Sequence, residues 1–92
     1  MNKFMKVYKD IVEDMVDTCE RKNKDYGSSV QDTYERFGDM SYLVRITDKY
    51  NRLCSLMTKG EIEVKDESID DTILDMANYL LLWLTSRELD KE

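Results

Sequence analysis

The segment from Asp66 to Leu84 constrains the fold most, because it has the pattern of one helix with two unlike halves. At about 100° per residue, four polar side chains of the first half share one face, within a sector of roughly 80°; they are Glu67, Asp71, Asp75 and Asn78. The second half, residues 79–84, is apolar on every side and must be covered by other helices or by a second subunit. Carboxylates beside a buried contact are costly unless they meet a cation, a metal or a hydrogen-bond donor. The helix therefore predicts a functional site on its acidic face.

Composition narrows the class of protein. The 92 residues are 41% hydrophobic and 37% charged and include no proline, which predicts a single soluble helical domain over residues 1–92. A net charge of −6 makes a nucleic-acid duplex an unfavourable partner, since neutralising phosphates requires a concentrated basic face. The chain has no apolar run long enough for a membrane and no signal-peptide pattern, so we expect a cytoplasmic protein without a membrane partner.

Helical periodicity predicts an all-α fold, an antiparallel bundle of three long helices and one short one. The expected helices are residues 3–24, 29–37, 40–58 and 67–87. In the first helix an apolar stripe recurs every three or four residues, as in a bundle helix with a solvated back; it consists of Phe4, Tyr8, Ile11, Met15 and Cys19. In the third helix the expected apolar stripe is Leu43, Ile46, Tyr50, Leu53 and Met57. The two cysteines, Cys19 and Cys54, are expected to be buried thiols and not a disulfide.

The chain contains no histidine, which removes imidazole catalysis and histidine-based metal sites. A metal would be held by carboxylates and waters, so Mg²⁺ or Mn²⁺ is the expected ion, with Ca²⁺ less favoured.

Two basic segments are candidate phosphate sites. Lys22, Lys24 and the free backbone amides near Ser28 and Ser29 could hold a phosphate, or could simply form a helix–turn–helix connection. In the third helix a second face spans roughly 100°; it carries Arg45, Asp48, Lys49 and Arg52. Its pattern fits an ordinary surface of ion pairs, or a polyphosphate site facing the acidic helix in which Asp48 joins the metal ligands.

Four segments together resemble one known family. They are residues 22–29 (KNKDYGSS), 33–38 (TYERFG), 45–53 (RITDKYNRL) and 66–79 (DESIDDTILDMANY). They are similar to the nucleotide-modification-associated domain 1 family, small proteins frequent in phages and prophages of Gram-positive bacteria. The resemblance implies a nucleotide ligand and the cytoplasm of a bacterial host.

A more distant likeness connects the chain to the MazG-like all-α nucleoside-triphosphate pyrophosphatases. Those enzymes pair a Glu-x-x-Glu helix with a Glu-x-x-Asp helix around Mg²⁺. Here Asp71 and Asp75 resemble the second motif, with a spacing of four residues in place of three. The first motif is reduced to Asp48, between Arg45 and Arg52, so the set of metal ligands is incomplete.

Two functional hypotheses follow from these resemblances. The first is a Mg²⁺-dependent nucleotide pyrophosphohydrolase, in which Glu67, Asp71 and Asp75, with Asp48, hold the metal and activate a water. Its substrate-binding residues are the cations of the two basic segments, with Asn78 and Tyr26 placing base or sugar; the set is Lys22, Lys24, Asp25, Tyr26, Arg45, Lys49, Arg52 and Asn78. The second is a non-catalytic protein that binds or sequesters nucleotides on the same scaffold, as an anti-defence protein would. A purely structural helical oligomer is a third possibility.

The apolar run from 79 to 84 also predicts self-association. Three long helices in 92 residues cannot easily cover that run in a monomer, so we expect a homodimer or tetramer with residues 79–84 near the interface.

Overall fold

Four α-helices make up the part of the chain that the structure describes. The computed structural model describes residues 2–26, 29–59 and 69–92, without the side chains of residues 23–26 and 59. The helices are α1 (Asn2–Tyr26), α2 (Ser29–Phe37), α3 (Asp39–Lys59) and α4 (Ile69–Asp90), and no strand occurs among these residues. The all-α prediction is confirmed. The predicted start of the fourth helix at residue 67 lies outside the described residues, and the other predicted ends differ from the observed ones by at most three residues.

Gly38 separates α2 from α3. Its φ of 67° lies in the left-handed region that side chains disfavour. Its N–H donates to the Tyr34 carbonyl at 2.7 Å, and its own carbonyl accepts from the Ser41 N–H at 3.0 Å and the Ser41 hydroxyl at 2.9 Å. This turn ends one helix and starts the next without a loop.

The best-buried side chain belongs to Tyr42, which is 2% exposed. Its ring lies 5.6 Å from the Tyr34 ring and 6.1 Å from the Trp83 ring, with the second pair nearly parallel at 14°. A hydrogen bond of 2.9 Å joins Tyr42 Oη to Ser86 Oγ. Tyr42 therefore connects α2, α3 and α4 at one end of the molecule.

A polar cluster closes the same end. The Asp39 carboxylate accepts hydrogen bonds from Trp83 Nε1 at 2.8 Å and from the Arg87 guanidinium at 2.7 Å. These two donors lower the pKa of Asp39 below its usual value. Nearby, Tyr34 Oη donates to the Asp90 carboxylate at 2.5 Å, and this bond raises the pKa of Tyr34 to about 12.

The predicted apolar stripe of α3 is partly wrong. Leu43, Tyr50 and Met57 are exposed, whereas Ile46 and Leu53 are half-buried. The face that α3 turns toward α4 carries Tyr42 and the cations of the site described below, so polar residues occupy positions that hydrophobic periodicity assigns to the back of the helix. Both thiols are free as predicted, but neither is fully buried, because Cys19 is half-buried and Cys54 is exposed.

Two apolar surfaces are left open by the described residues of the chain. On α1 the side chains of Phe4, Tyr8 and Ile11 are 65%, 56% and 47% exposed, so the first half of the predicted stripe is not buried against the other described helices. On α4 a second surface contains Leu80, Leu81 and Leu84. These helices thus leave the apolar half of α4 only partly covered, as the sequence suggested, and self-association stays a prediction.

No helix in the described part of the chain is both long and apolar enough to cross a membrane.

Candidate functional site

Three contacts fix how α3 and α4 lie against each other. Lys49 pairs with Asp75, Tyr42 with Ser86, and Asp39 with Arg87. Residue numbers fall along α3 as they rise along α4, so the two helices are antiparallel. Side chains three and four residues apart on each helix therefore face one shared space.

That space is a cavity of about 420 Å³, which α1 and α2 also border. The lining residues are Cys19 and Lys22 of α1, Ser29, Val30 and Gln31 of α2, Tyr42, Arg45 and Lys49 of α3, and Asp75, Asn78, Tyr79, Leu82, Thr85, Ser86 and Leu89 of α4. We call it the central pocket. Its volume lies in the range typical of sites for small molecules, which is about 300 to 1,000 Å³.

Three cations and one carboxylate line the central pocket: Lys22, Arg45, Lys49 and Asp75. The chain as a whole has a net charge of −6, so this concentration of positive charge is local. Lys49 Nζ lies 3.0 Å from Asp75 Oδ2, and the two side chains are 31% and 44% exposed. An ion pair this accessible to water can exchange partners at low cost.

An aromatic ring stands beside the cations. The Arg45 guanidinium lies 5.7 Å from the centre of the Tyr79 ring, within the range of a cation–π contact. That contact helps to hold the guanidinium in the pocket wall, while Leu82 adds apolar surface and Asn78 adds an amide. The wall thus combines positive charge with a flat apolar face.

The N-terminus of α2 also borders the pocket, through Ser29, Val30 and Gln31. The first N–H groups of a helix have no partner within the helix and carry partial positive charge. Two parts of the predicted phosphate site, Lys22 and Ser29 at the start of α2, therefore border the same pocket. The side chains of Lys24, Asp25 and Tyr26 lie outside the described residues, as does Ser28.

The predicted basic face of α3 adjoins the central pocket. A shallow cavity of about 350 Å³ is lined by Arg45, Asp48, Lys49, Arg52 and Tyr79. Because Arg45, Lys49 and Tyr79 line both cavities, the two form one continuous surface that extends toward Arg52.

The predicted acidic residues are divided between two places. Asp71 and Asp75 line a groove of about 440 Å³ between α1 and α4, together with Asp14, whereas Asp48 lines the cavity on α3. We call this the α1–α4 groove; its other lining residues are Ile11, Met15, Thr18, Cys19, Lys22, Leu74 and Asn78. Glu67 lies outside the described residues. Among the side chains that the structure describes, no three carboxylates or thiols are close enough together to hold a metal ion.

Sequence reasoning missed several pocket residues, chiefly Tyr42, Tyr79 and Ser86. The signal was present in the spacing: Tyr42, Arg45 and Lys49 recur at three and four residues and therefore share one face of α3. Treating the apolar and basic positions of that helix as separate faces concealed it.

A known family matches most of the chain. The profile of the family described as nucleotide modification associated domain 1 matches residues 22–86, which is most of the chain and nearly all of the central pocket. The chain belongs to this family. No curated protein and no solved structure matches it significantly. The family resemblance of the sequence is thereby confirmed, and α1 up to Arg21 lies before the matched region.

Proposed function

We propose that the protein binds a nucleotide in the central pocket. The observation that carries this proposal is the meeting of three cations and an exposed helix N-terminus with an aromatic and apolar wall. The cations and the helix N-terminus suit phosphate groups, and the aromatic and apolar wall suits a base. The family to which the chain belongs is associated with nucleotide modification, which supports the same ligand class.

The phosphates are assigned to Lys22, Arg45 and Lys49. Arginine can donate two parallel hydrogen bonds to phosphate oxygens, and lysine acts as a compact point charge. The N–H groups at the start of α2 are suited to an anion for the same electrostatic reason. A longer phosphate chain would continue along the shallow cavity toward Arg52.

The base and sugar are assigned to the wall formed by Tyr79 and Leu82. An aromatic face stacks on any base and therefore gives affinity more than sequence preference. The Asn78 amide both donates and accepts hydrogen bonds, so it can select among base edges.

Calorimetric titration in the presence of EDTA tests this proposal. Canonical and modified deoxynucleoside mono-, di- and triphosphates are titrated into wild type, Arg45→Ala and, as a matched control, Arg36→Ala on the exposed surface of α2. A charged hydrogen bond to phosphate contributes about 1.5–3 kcal/mol, so Arg45→Ala should weaken binding roughly 10- to 150-fold while Arg36→Ala leaves it unchanged. Equal affinity of wild type and Arg45→Ala for every nucleotide would remove the basis of the proposal.

A Mg²⁺-dependent pyrophosphohydrolase is the second candidate, supported by Asp71 and Asp75 one turn apart along α4 and by the distant MazG-like resemblance. The described carboxylates do not form a Mg²⁺ site by themselves, because Asp48 and Asp71 line different cavities and Asp75 pairs with Lys49. The hydrolase hypothesis therefore depends on Glu67 or on a rearrangement when a nucleotide binds.

The two candidates differ in a direct assay. Each nucleotide is incubated with the protein and Mg²⁺ or Mn²⁺, and pyrophosphate release is followed by chromatography. Turnover that requires the metal and disappears in Asp75→Asn favours the hydrolase. Tight binding with no turnover favours the protein that only binds or sequesters nucleotides.

A further inference from the structure

The first ten residues of α1 form an amphipathic segment whose apolar side stays uncovered by the described part of the chain. Phe4, Tyr8 and Ile11 are 65%, 56% and 47% exposed, and Met15 follows them half-buried against α4. The spacing from Phe4 to Met15 is four, three and four residues, the alternation found in the seam of a coiled coil. That spacing is the same read in either direction along the helix, so it suits pairing with an antiparallel copy of itself.

The charges of α1 are divided between its two halves. Residues 2–9 contain Lys3, Lys6 and Lys9 and no acid. Residues 10–20 contain no cation and five acids, namely Asp10, Glu13, Asp14, Asp17 and Glu20. Two copies of α1 in parallel would bring like charges together, whereas an antiparallel pair brings each basic half beside an acidic half.

The α1–α4 groove has the chemistry to receive the basic half. Its apolar wall contains Ile11, Met15 and Leu74, and its acids include Asp14 and Asp71. The groove thus offers apolar surface to an incoming Phe4 and Tyr8 and negative charge to the lysines beside them. This agreement in apolar character and in charge points to a second copy of the chain as the occupant.

We propose that the protein is a dimer in which residues 2–10 of each copy lie in the α1–α4 groove of the other. A two-fold axis perpendicular to the helices makes the two contacts identical and the α1 helices antiparallel. The seam then sets Phe4 beside Met15 of the second copy and Tyr8 beside Ile11 of the second copy.

This dimer would border the nucleotide site. The groove shares Cys19, Lys22, Asp75 and Asn78 with the central pocket. In this register residue 2 of the second copy lies beside Asp17, so the second helix ends close to Cys19 at the edge of the central pocket.

Sedimentation velocity over a range of concentrations tests the dimer with three chains: wild type, Tyr8→Glu in the seam and Met57→Glu, a control that places the same charge on the exposed surface of α3. Circular dichroism checks that each is folded. We expect wild type and Met57→Glu to be dimers. The dissociation constant of the Tyr8→Glu dimer should be at least about tenfold higher, because a central aromatic contact is lost. The proposal is overturned if wild type is a monomer, whether or not it binds anionic lipid vesicles through its basic helix. It is also overturned if Tyr8→Glu forms a dimer as tight as that of wild type.

Cysteine cross-linking tests the orientation. In a background with Cys19→Ser and Cys54→Ser, chains carrying Phe4→Cys are mixed with chains carrying Met15→Cys under mild oxidation. The mixture should form cross-linked heterodimers, because a disulfide requires Cα atoms about 4.4–6.8 Å apart. Neither chain alone should cross-link. In the antiparallel pair the two copies of position 4 are separated by the distance from position 4 to position 15 along a helix, which is about 16 Å, and the same holds for the two copies of position 15. Efficient cross-linking of Phe4→Cys with itself would show a parallel pair and contradict the proposed arrangement.

Discussion

Asp75→Asn separates a structural role of the acidic helix from a functional one. The carboxylate lies 3.0 Å from Lys49 Nζ, and both side chains are about a third or more exposed. A pair this accessible contributes about 0–1 kcal/mol to stability, and asparagine keeps an oxygen that can still accept from the ammonium. The free energy of unfolding should therefore fall by less than about 1 kcal/mol, which is a shift in melting temperature of no more than about 4–8 °C.

The same substitution should improve nucleotide binding when no metal is present. The substitution removes one negative charge, so Lys49 no longer has an ionic partner to give up and the phosphates no longer approach a carboxylate. If the full 1 kcal/mol or so of the pair is transferred to the ligand, the dissociation constant falls about fivefold. Calorimetry in EDTA measures the affinity, and thermal melts measure the stability.

Glu88→Gln is the matched control for Asp75→Asn. Glu88 pairs with Lys91 at the same distance of 3.0 Å on the exposed end of α4. Loss of this ion pair in Glu88→Gln should change the free energy of unfolding as little as Asp75→Asn does. It should leave nucleotide affinity unchanged. A loss of about 3 kcal/mol or more in Asp75→Asn would indicate a buried, obligatory ion pair. Weaker binding in EDTA would mean that Asp75 itself contacts the ligand, and either result would refute this reasoning.

Three further predictions concern the closed end of the bundle. Tyr42→Phe leaves the Ser86 hydroxyl without its buried partner and should cost about 1–2 kcal/mol in chemical unfolding, with the double variant Tyr42→Phe/Ser86→Ala recovering part of the loss. The pKa of Asp39 is lower in the fold than in the unfolded chain. Its contribution to stability is therefore present above the unfolded-chain pKa and is lost as the pH falls through the lowered value. Asp39→Asn should be less stable than wild type near neutral pH, and the two should become equally stable in acid. The pKa of Tyr34 is raised to about 12, so its contribution to stability is present below pH 10.0 and is lost as the pH rises toward 12. An ultraviolet titration should show a tyrosine step near pH 12 that Tyr34→Phe removes and that Asp90→Asn moves toward 10.0.

The helices could be predicted from the sequence because local signals agree with one another. Proline is absent, Gly38 takes the left-handed conformation that ends α2, and apolar residues recur at helical spacing. Local preferences of this kind determine where a helix begins and ends whatever it packs against. The positions of the four helices therefore follow from the amino-acid sequence alone.

For the basic face of α3 the sequence leaves two alternatives, an ordinary surface of ion pairs or a site facing the acidic helix, and does not decide between them. Hydrophobic periodicity selected Leu43, Tyr50 and Met57, yet the helix turns Arg45 and Lys49 toward α4. A pocket for a charged ligand places cations where a core would place leucines, so a rule that assumes burial of apolar residues fails at such a site. Helical spacing alone therefore leaves the orientation of α3 about its own axis undetermined.

The exposed first half of α1 has a related explanation. Its stripe is as regular as that of a buried helix, because periodicity records that a face will be covered but not which chain covers it. Phe4 and Tyr8 therefore predict a contact while leaving its partner open. Only the placement of α1 against α4 shows that the other described helices do not supply that contact.

The stacking of Trp83 on Tyr42 has a practical consequence for spectroscopy. Trp83 is the one tryptophan of the sequence, and its ring lies nearly parallel to a residue that lines the central pocket. Indole fluorescence responds to the polarity and mobility of its immediate surroundings, so a molecule entering beside Tyr42 should alter its emission. The unmodified protein thus contains a single indole chromophore stacked on a residue of the pocket wall, and ligands can be screened by their effect on its emission spectrum without any label.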